Sequence, residues 1–188
     1  MEFREEFGDG MEQVPAEHMD RDRFVPATGS LDADVALVGE APGANEVEQG
    51  EPFVGRAGQV LDDILQEIGI VRAELYITNM VKVRPPDNRD PTREEIAAWR
   101  PVLDAELDRV NPETVVPLGN FASQALTGTD KGISQIHGRE FQRDAYRVIP
   151  TYHPAATLYN PDTRPVLEQD LRSVFNGDRS GQTRLIDL

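Results

Sequence analysis

The chain has 188 residues and a formal net charge of −15, with 34 acidic side chains against 19 lysines and arginines. This length fits one ordinary globular domain, so we expect residues 1–188 to form a single domain. The absence of cysteine excludes disulfides, thiolate-bound metals and a cysteine nucleophile. No run reaches the ~20 apolar residues of a membrane helix, and the charged start is unlike a signal peptide, so the expected location is the cytoplasm, with no membrane partner.

The acidic excess is concentrated at the start of the chain, where residues 1–52 hold fourteen Asp or Glu against three Arg. Only Lys82 and Lys131 among the nineteen basic residues are lysine. An acidic, arginine-rich, cysteine-free composition resembles that of proteins from salt-loving archaea, and we interpret the charge as haloarchaeal adaptation to salt. Net charge affects solubility and association rather than fold, so it does not exclude a nucleic-acid partner.

The first predicted elements are a strand, a helix and a second strand. DVALVG (34–39) is a short apolar run that ends in glycine, and LYITN (75–79) is similar. Between them, residues 57–70 carry apolar side chains at helical spacing. These are Val60, Leu61, Ile64, Leu65 and Ile68.

The second half continues the alternation. Thr92 and Glu95 form a capping box that opens a helix running to about Val110, which Pro101 should kink or divide. The later predicted elements are a strand at 114–119, a short helix NFASQALTG, a strand at 147–154 and a helix near Arg164 to Phe175. Residues 1–30 are expected to be an irregular lead-in and residues 176–188 a polar tail. The alternation predicts an α/β three-layer α/β/α sandwich around a mostly parallel four-stranded sheet.

Four loops follow the predicted strands, at the edge where open α/β sheets bind ligands: GEAPGANE, TNMVKVRPPDNR, LGNFAS and YHPAATLYNP. Each has an ordinary interpretation when taken alone. Phe53 could be a core aromatic, Asn79 a turn cap and His153 a structural histidine. An α/β hydrolase or a nucleotide-binding protein could also contain the glycine-framed turn after the first strand.

The order of these motifs, together with EPFVGRAG, closely resembles the family 4 uracil-DNA glycosylases across roughly residues 11–175. The resemblance implies a monofunctional DNA repair enzyme that hydrolyses the N-glycosidic bond of uracil in DNA. Its partner would be uracil-containing DNA, single- or double-stranded, and the protein would be a monomer. The rival interpretation is a non-catalytic binder of deaminated or single-stranded DNA that keeps the pocket.

The resemblance assigns roles to pocket residues. Phe53 would stack on a flipped uracil, while Asn79 pairs with its N3–H and O4 and rejects cytosine. His153 would donate a hydrogen bond to O2 as negative charge develops there. Glu40 or Glu46 would orient water and offset the cationic sugar, and Glu46 is the candidate for excluding thymine. The backbone of the GEAPG turn would assist the departing base through Gly39, Ala41 and Gly43.

The resemblance also predicts how DNA is held. The basic loop would contact phosphates through Lys82, Arg84 and Arg89, with Arg56 and Lys131 as further candidates. Leu158 or Tyr159 would fill the gap left by the flipped nucleotide. Alternatively, the basic loop is solvated and contacts nothing, and the segment after His153 is an ordinary apolar connection.

Family 4 enzymes usually carry a four-iron cluster held by four cysteines, and this chain departs from that pattern. Aligning on the flanking motifs places Met11, Val14, Val83 and Trp99 at those positions. Without thiolates the cluster has no ligands, so no cofactor and no metal are expected. The four apolar side chains are predicted to form a hydrophobic plug that pins the N-terminal segment and the basic loop to the helix.

Overall fold

The computed structural model describes residues 3–176, along which helices and strands alternate. The strands are β1 (Thr28–Gly29), β2 (Val35–Gly39), β3 (Tyr76–Asn79), β4 (Thr114–Pro117), β5 (Phe141–Gln142) and β6 (Arg147–Val148). The helices are α1 (Phe3–Met11), α2 (Ala44–Gln49), α3 (Arg56–Glu67), α4 (Arg93–Val110), α5 (Asn120–Thr127), α6 (Ile133–Ile136) and α7 (Thr163–Asn176). The predicted polar tail lies outside the described residues, apart from Asn176 at the end of α7.

The sheet has six strands in the order β1-β3-β2-β4-β6-β5. The four central strands are parallel, and the two edge strands pair antiparallel to their neighbours. The predicted parallel strands are therefore present, but the prediction of a four-stranded sheet is wrong. The added strands have two residues each, which is too short to produce a recognisable alternation in the sequence.

Helices cover both faces of the sheet, because alternate strand residues point to opposite sides. One hydrophobic cluster contains Ala36 and Val38 of β2 together with residues of α1, α4 and α5. The other contains Val35 and Leu37 of the same strand with residues of α3 and α7. The result is a three-layer α/β/α arrangement with a core on each side of the sheet.

One prediction about the helices is wrong, and one of the two alternatives given for Pro101 is excluded. Part of the expected irregular lead-in is helix α1, which buries Phe3 and Phe7 against α4. Helix α4 begins at the predicted capping box, in which the Glu95 N–H donates to Thr92 Oγ1 over 3.2 Å. It then runs through Pro101 without dividing. Buried Trp99, Val102 and Leu103 flank the proline, and their packing offsets the lost backbone hydrogen bond.

Among residues 3–176, no helix combines the length and the apolar character that crossing a membrane requires.

Candidate active site

A cavity of about 330 Å³ opens at the carboxyl ends of the parallel strands. Its volume lies within the range of small-molecule sites. Eight of the residues singled out from the sequence line it: Glu40, Ala41, Gly43, Glu46, Phe53, Asn79, Arg89 and His153. The fold therefore brings together side chains that lie up to 113 positions apart in the sequence.

Asn79 ends β3 beside Gly39, which ends β2 in parallel register with it. A Cβ atom on Gly39 would lie 2.3 Å from Asn79 Oδ1 and 2.6 Å from the ring of Phe53, so only glycine fits between them. Asn79 is 5% exposed, and its carboxamide makes no hydrogen bond to another described residue. Its acceptor and two donors are thus available to a ligand in the cavity.

Phe53 lies in a strained loop that is held on both sides. Its φ angle is +54°, a left-handed value that costs roughly 1–3 kcal/mol for a residue other than glycine. The ring is 5% exposed and lies 5.5 Å from the His153 ring, centroid to centroid. Arg72 donates to the carbonyl of Pro52 over 2.7 Å, just before the strained residue. The loop thus presents a fixed aromatic face beside Asn79.

Glu46 holds the other side of the same loop. Its Oε1 accepts from the backbone N–H groups of Val54 and Gly55, over 3.1 and 2.9 Å. Its Oε2 accepts from the N–H of Gly43 over 3.1 Å. Both oxygens of this carboxylate therefore tie the phenylalanine loop to the glycine turn after β2, so Glu46 is less free than Glu40 to orient a water molecule.

His153 follows the last parallel strand and lies half-buried. Its Nδ1 accepts a hydrogen bond from the Ala155 N–H over 3.2 Å, which assigns the proton of the neutral ring to Nε2. Burial lowers the pKa of His153 to about 4, against a small opposing effect of Glu46. At neutral pH the residue is therefore an uncharged N–H donor.

Glu40 is half-buried, and its carboxylate accepts no hydrogen bond from another described residue. Burial raises the pKa of Glu40 to about 7, with a further contribution from the charge of Asp90, which also lines the cavity. A carboxylate with a pKa near neutrality can accept a proton during a reaction and release it afterwards.

Lys82 corrects one of the predictions. It was expected to contact phosphate, yet its side chain is 0% exposed and its ammonium lies 2.6 Å from Glu106 Oε2 of α4, which is also 0% exposed. A lysine held inside the core cannot reach DNA. The sequence gives little warning of this, because the partner carboxylate lies 24 residues away.

The two arginines of the loop are also less free than the sequence suggests. Arg89 lies at the cavity entrance and donates to both oxygens of Glu95, over 2.7 and 2.8 Å. Arg84 is half-buried, lines a separate pocket with Val83 and Trp99, and forms no ion pair with another described residue. The exposed Arg56 and Lys131 likewise have no ion-pair partner among residues 3–176.

Leu158 and Tyr159 end a short 3-10 helix, Pro154–Leu158, that follows His153. Their exposed fractions are 41% and 85%, so two large neighbouring side chains face solvent together. The segment is anchored at its start, where Gly119 packs against His153 and donates its N–H to Thr151 O over 2.8 Å. An apolar tip therefore projects from a fixed base beside the cavity.

The positions of the family's cluster cysteines come together in space. Val14, Val83 and Trp99 are buried in one hydrophobic cluster, and partly buried Met11 packs against it. Phe24, which the sequence analysis did not single out, stacks on Trp99 with ring centroids 6.0 Å apart. The segment around Phe24 also pairs with the basic loop, where Val25 N–H donates to Lys82 O over 2.8 Å.

These side chains do not fit an iron-sulfur cluster. None of the four carries a thiolate, and Trp99 fills its position with a fully buried indole. Within residues 3–176, no group of three or more His, Cys, Asp or Glu side chains is arranged to hold a metal ion. The side chains of the cavity are therefore considered without an iron-sulfur cluster or a metal ion.

Sequence reasoning missed Asp90 and Glu106. Asp90 lines the cavity entrance directly after the basic motif, and the motif itself does not include it. Glu106 lies on the apolar face of α4, three residues after Leu103 and one before Leu107, both of which are buried. An acid on such a face signals a buried polar partner, and that was the available clue.

Comparison with known proteins agrees with this geometry. Residues 26–176 match the model of the uracil DNA glycosylase superfamily, and the chain belongs to that superfamily. Its relatives include type-4 uracil-DNA glycosylases. The one from Sulfurisphaera tokodaii is 40% identical over 82% of this chain and 74% of its own length. That from Archaeoglobus fulgidus is 39% identical over 84% and 83%, and that from Thermotoga maritima 43% over 76% of each.

Proposed function

We propose that this protein is a uracil-DNA glycosylase, which hydrolyses the bond between uracil and deoxyribose and leaves an abasic site in DNA. One observation carries the proposal above the others. A carboxamide, an aromatic ring, a neutral histidine and a carboxylate with a raised pKa converge in one cavity, in a chain about 40% identical to type-4 enzymes.

Asn79 is the base-reading group. Its Oδ1 accepts from uracil N3–H and its Nδ2 donates to O4, whereas cytosine presents the opposite pattern at both positions. Phe53 stacks on the face of the flipped base. Because Gly39 has no side chain, the Asn79 carboxamide and the Phe53 ring can both lie close to its Cα, so the reading edge and the stacking face lie side by side.

The chemical step separates a positive sugar from a negative base. As the bond between C1′ and N1 breaks, His153 Nε2–H donates to uracil O2 and stabilises the anion. Glu40 orients the water that attacks C1′ and accepts its proton. Glu46 holds the glycine turn and the phenylalanine loop around the base, and exclusion of thymine by Glu46 stays a prediction.

DNA is held mainly by the tip at Leu158 and Tyr159, which enters the stack in place of the flipped nucleotide. Arg84, Arg89, Arg56 and Lys131 are secondary phosphate contacts, and Arg89 must first release Glu95. The protein acts as a monomer, because one chain supplies every group of the site, and it acts without an iron-sulfur cluster.

The direct test is incubation with an oligonucleotide that contains one uracil, followed by alkaline cleavage of abasic sites. The wild type should cleave the uracil strand and leave matched cytosine and thymine strands intact. Asn79→Asp is the matched variant, because it keeps the size of the side chain and removes the donor to O4. It should slow single-turnover cleavage by about 10²-fold or more.

Two results would contradict the proposal. Tight binding of uracil DNA without any abasic product would favour the non-catalytic binder. An unchanged rate for Asn79→Asp would remove Asn79 from the base-reading position.

A further inference from the structure

Directly beneath the base-reading strand lies a buried ionic network. The ammonium of Lys82 donates to three acceptors: Glu106 Oε2 over 2.6 Å, Thr78 Oγ1 over 2.8 Å and the backbone carbonyl of Asn79 over 2.5 Å. These bonds use all three of its N–H groups. Glu106 Oε1 in turn accepts from the hydroxyls of Tyr76 and Thr78, over 3.1 and 3.0 Å.

The network includes the main-chain carbonyl of Asn79, the residue proposed to read the base. Tyr76, Thr78 and Asn79 belong to β3, while Lys82 lies three residues further along the chain and Glu106 comes from α4. The Asn79 carboxamide itself has no protein partner among the described residues. Its direction therefore depends on how its main chain is held, and the Lys82 ammonium holds the carbonyl of that residue.

Stability alone does not explain such a pair. Removing two charges from water is costly, and apolar residues of similar volume often stabilise a protein as well or better. Burial lowers the pKa of Lys82 and raises the pKa of Glu106, so each charge is maintained only by its partner. The pair contributes a fixed geometry instead, because three fixed acceptors hold the Lys82 ammonium in one position.

We propose that Lys82 and Glu106 are positioning residues for uracil recognition, with Lys82 fixing the Asn79 main chain and Glu106 fixing Lys82. The inference rests on the proposed role of Asn79 as the base reader. The inference also explains why the basic loop contains a lysine that cannot reach DNA, because this lysine orients the pocket instead. A misplacement of about 1 Å at a reacting group can cost about 10²-fold in rate.

The test compares Lys82→Met, which keeps the length of the side chain and removes the bond to Asn79, with Leu103→Ala. The control removes buried apolar volume from the same helix as Glu106, at a side chain that forms none of the network's hydrogen bonds. Both variants are assayed well below their melting temperatures for single-turnover uracil cleavage, for inhibition by free uracil and for affinity to uracil-free DNA.

Lys82→Met should slow cleavage and weaken inhibition by free uracil, each by about 10- to 100-fold, with unchanged affinity for uracil-free DNA. Glu106→Gln should slow cleavage less than Lys82→Met does, because its amide oxygen still accepts a hydrogen bond from Lys82 while the charge of the partner is lost. Leu103→Ala should lose stability but keep the rate and the uracil inhibition. If Lys82→Met does not fold, Lys82→Met/Glu106→Gln replaces it, since that pair leaves no unpaired buried charge.

Equal rates for Lys82→Met and Leu103→Ala would overturn the inference. Asn79→Ala is measured alongside to separate two kinds of failure. If Asn79→Ala is slow and Lys82→Met is not, the positioning role is wrong and the base reader stands. If Asn79→Ala cleaves at the wild-type rate, the base-reading role of Asn79 fails and the inference fails with it.

Discussion

Glu40 and His153 line the same cavity, and burial changes their pKa values in opposite directions. Loss of water raises the pKa of Glu40 to about 7 and lowers that of His153 to about 4, because in each case the neutral form is favoured. At neutral pH His153 is therefore a neutral donor, while Glu40 is divided between its two forms. The pH dependence of the reaction should follow Glu40.

We expect the single-turnover rate to rise as the pH is raised through about 7, because Glu40 must be ionised to accept a proton. No further change should come from His153 above pH 5, since its pKa of about 4 leaves it neutral there. Asp90→Asn should shift the midpoint to lower pH, because Asp90 contributes to the raised pKa of Glu40. Asp63→Asn, on the exposed face of α3, is the control, and equal midpoints for both variants would exclude the Asp90 effect.

Sequence motifs were sufficient to propose the residues that line the cavity, because Gly39, Phe53, Asn79 and His153 belong to loops with characteristic spacing. They were not sufficient for Lys82. Whether a lysine between two valines points inward depends on a partner, and Glu106 comes from a helix that lies on the sheet only in the folded chain. The effect of Asp90 on the pKa of Glu40 could not be predicted either, because it depends on two loops that come together only in the folded chain.

At the scale of elements, α4 joins the N-terminal segment to the site. Trp99 is fully buried on this helix, and Phe24, Phe3 and Phe7 continue from it as a row of aromatic rings with neighbouring centroids 4.8 to 6.0 Å apart. The predicted four-residue plug is thus part of a larger aromatic cluster. Strong helical periodicity predicted α3 well, whereas α1 was missed because two of its nine residues are glycine and few are apolar.

Trp99→Ala should lower the free energy of unfolding by about 3–5 kcal/mol, because it leaves a void at the junction of α4, the N-terminal segment and the basic loop. DNA affinity should fall as well, since the loop loses its support. Urea unfolding and fluorescence-anisotropy titration would measure both. Trp99→Phe should lose much less, because it keeps an aromatic ring and the indole N–H has no partner among the described residues. A Trp99→Ala variant as stable as the wild type would show that the cluster does not stabilise this junction.

In the whole molecule, the net charge of −15 and the structure of the basic loop both indicate weak electrostatic attraction to DNA. Lys82 is buried and Arg89 is paired with Glu95, so the loop offers little free positive charge to DNA. At about 1 M salt the Debye length is ~3 Å, so repulsion between protein and phosphates is screened while apolar contacts persist. We therefore expect the tip at Leu158 and Tyr159 to contribute most of the DNA affinity.

The affinity for DNA should therefore depend weakly on salt. A protein that neutralises six to ten phosphates loses ~10³- to 10⁵-fold in affinity between 50 and 200 mM salt, and we expect a far shallower slope here. Titration of a uracil oligonucleotide with the slow Asn79→Asp variant at several salt concentrations would measure this slope. Leu158→Ala/Tyr159→Ala should weaken binding at every salt concentration, and a steep slope would show that phosphate contacts dominate.

We expect this chain to excise uracil with an apolar cluster at the four positions that the sequence resemblance assigns to cluster cysteines, Met11, Val14, Val83 and Trp99. The most direct measurement quantifies iron in the purified protein and uracil excision in the same sample, before and after chelation. We predict an iron content far below one cluster per chain, no visible absorption from a cluster, and the same single-turnover rate before and after chelation. Stoichiometric iron, or activity that disappears with chelation and returns with reconstitution, would contradict it.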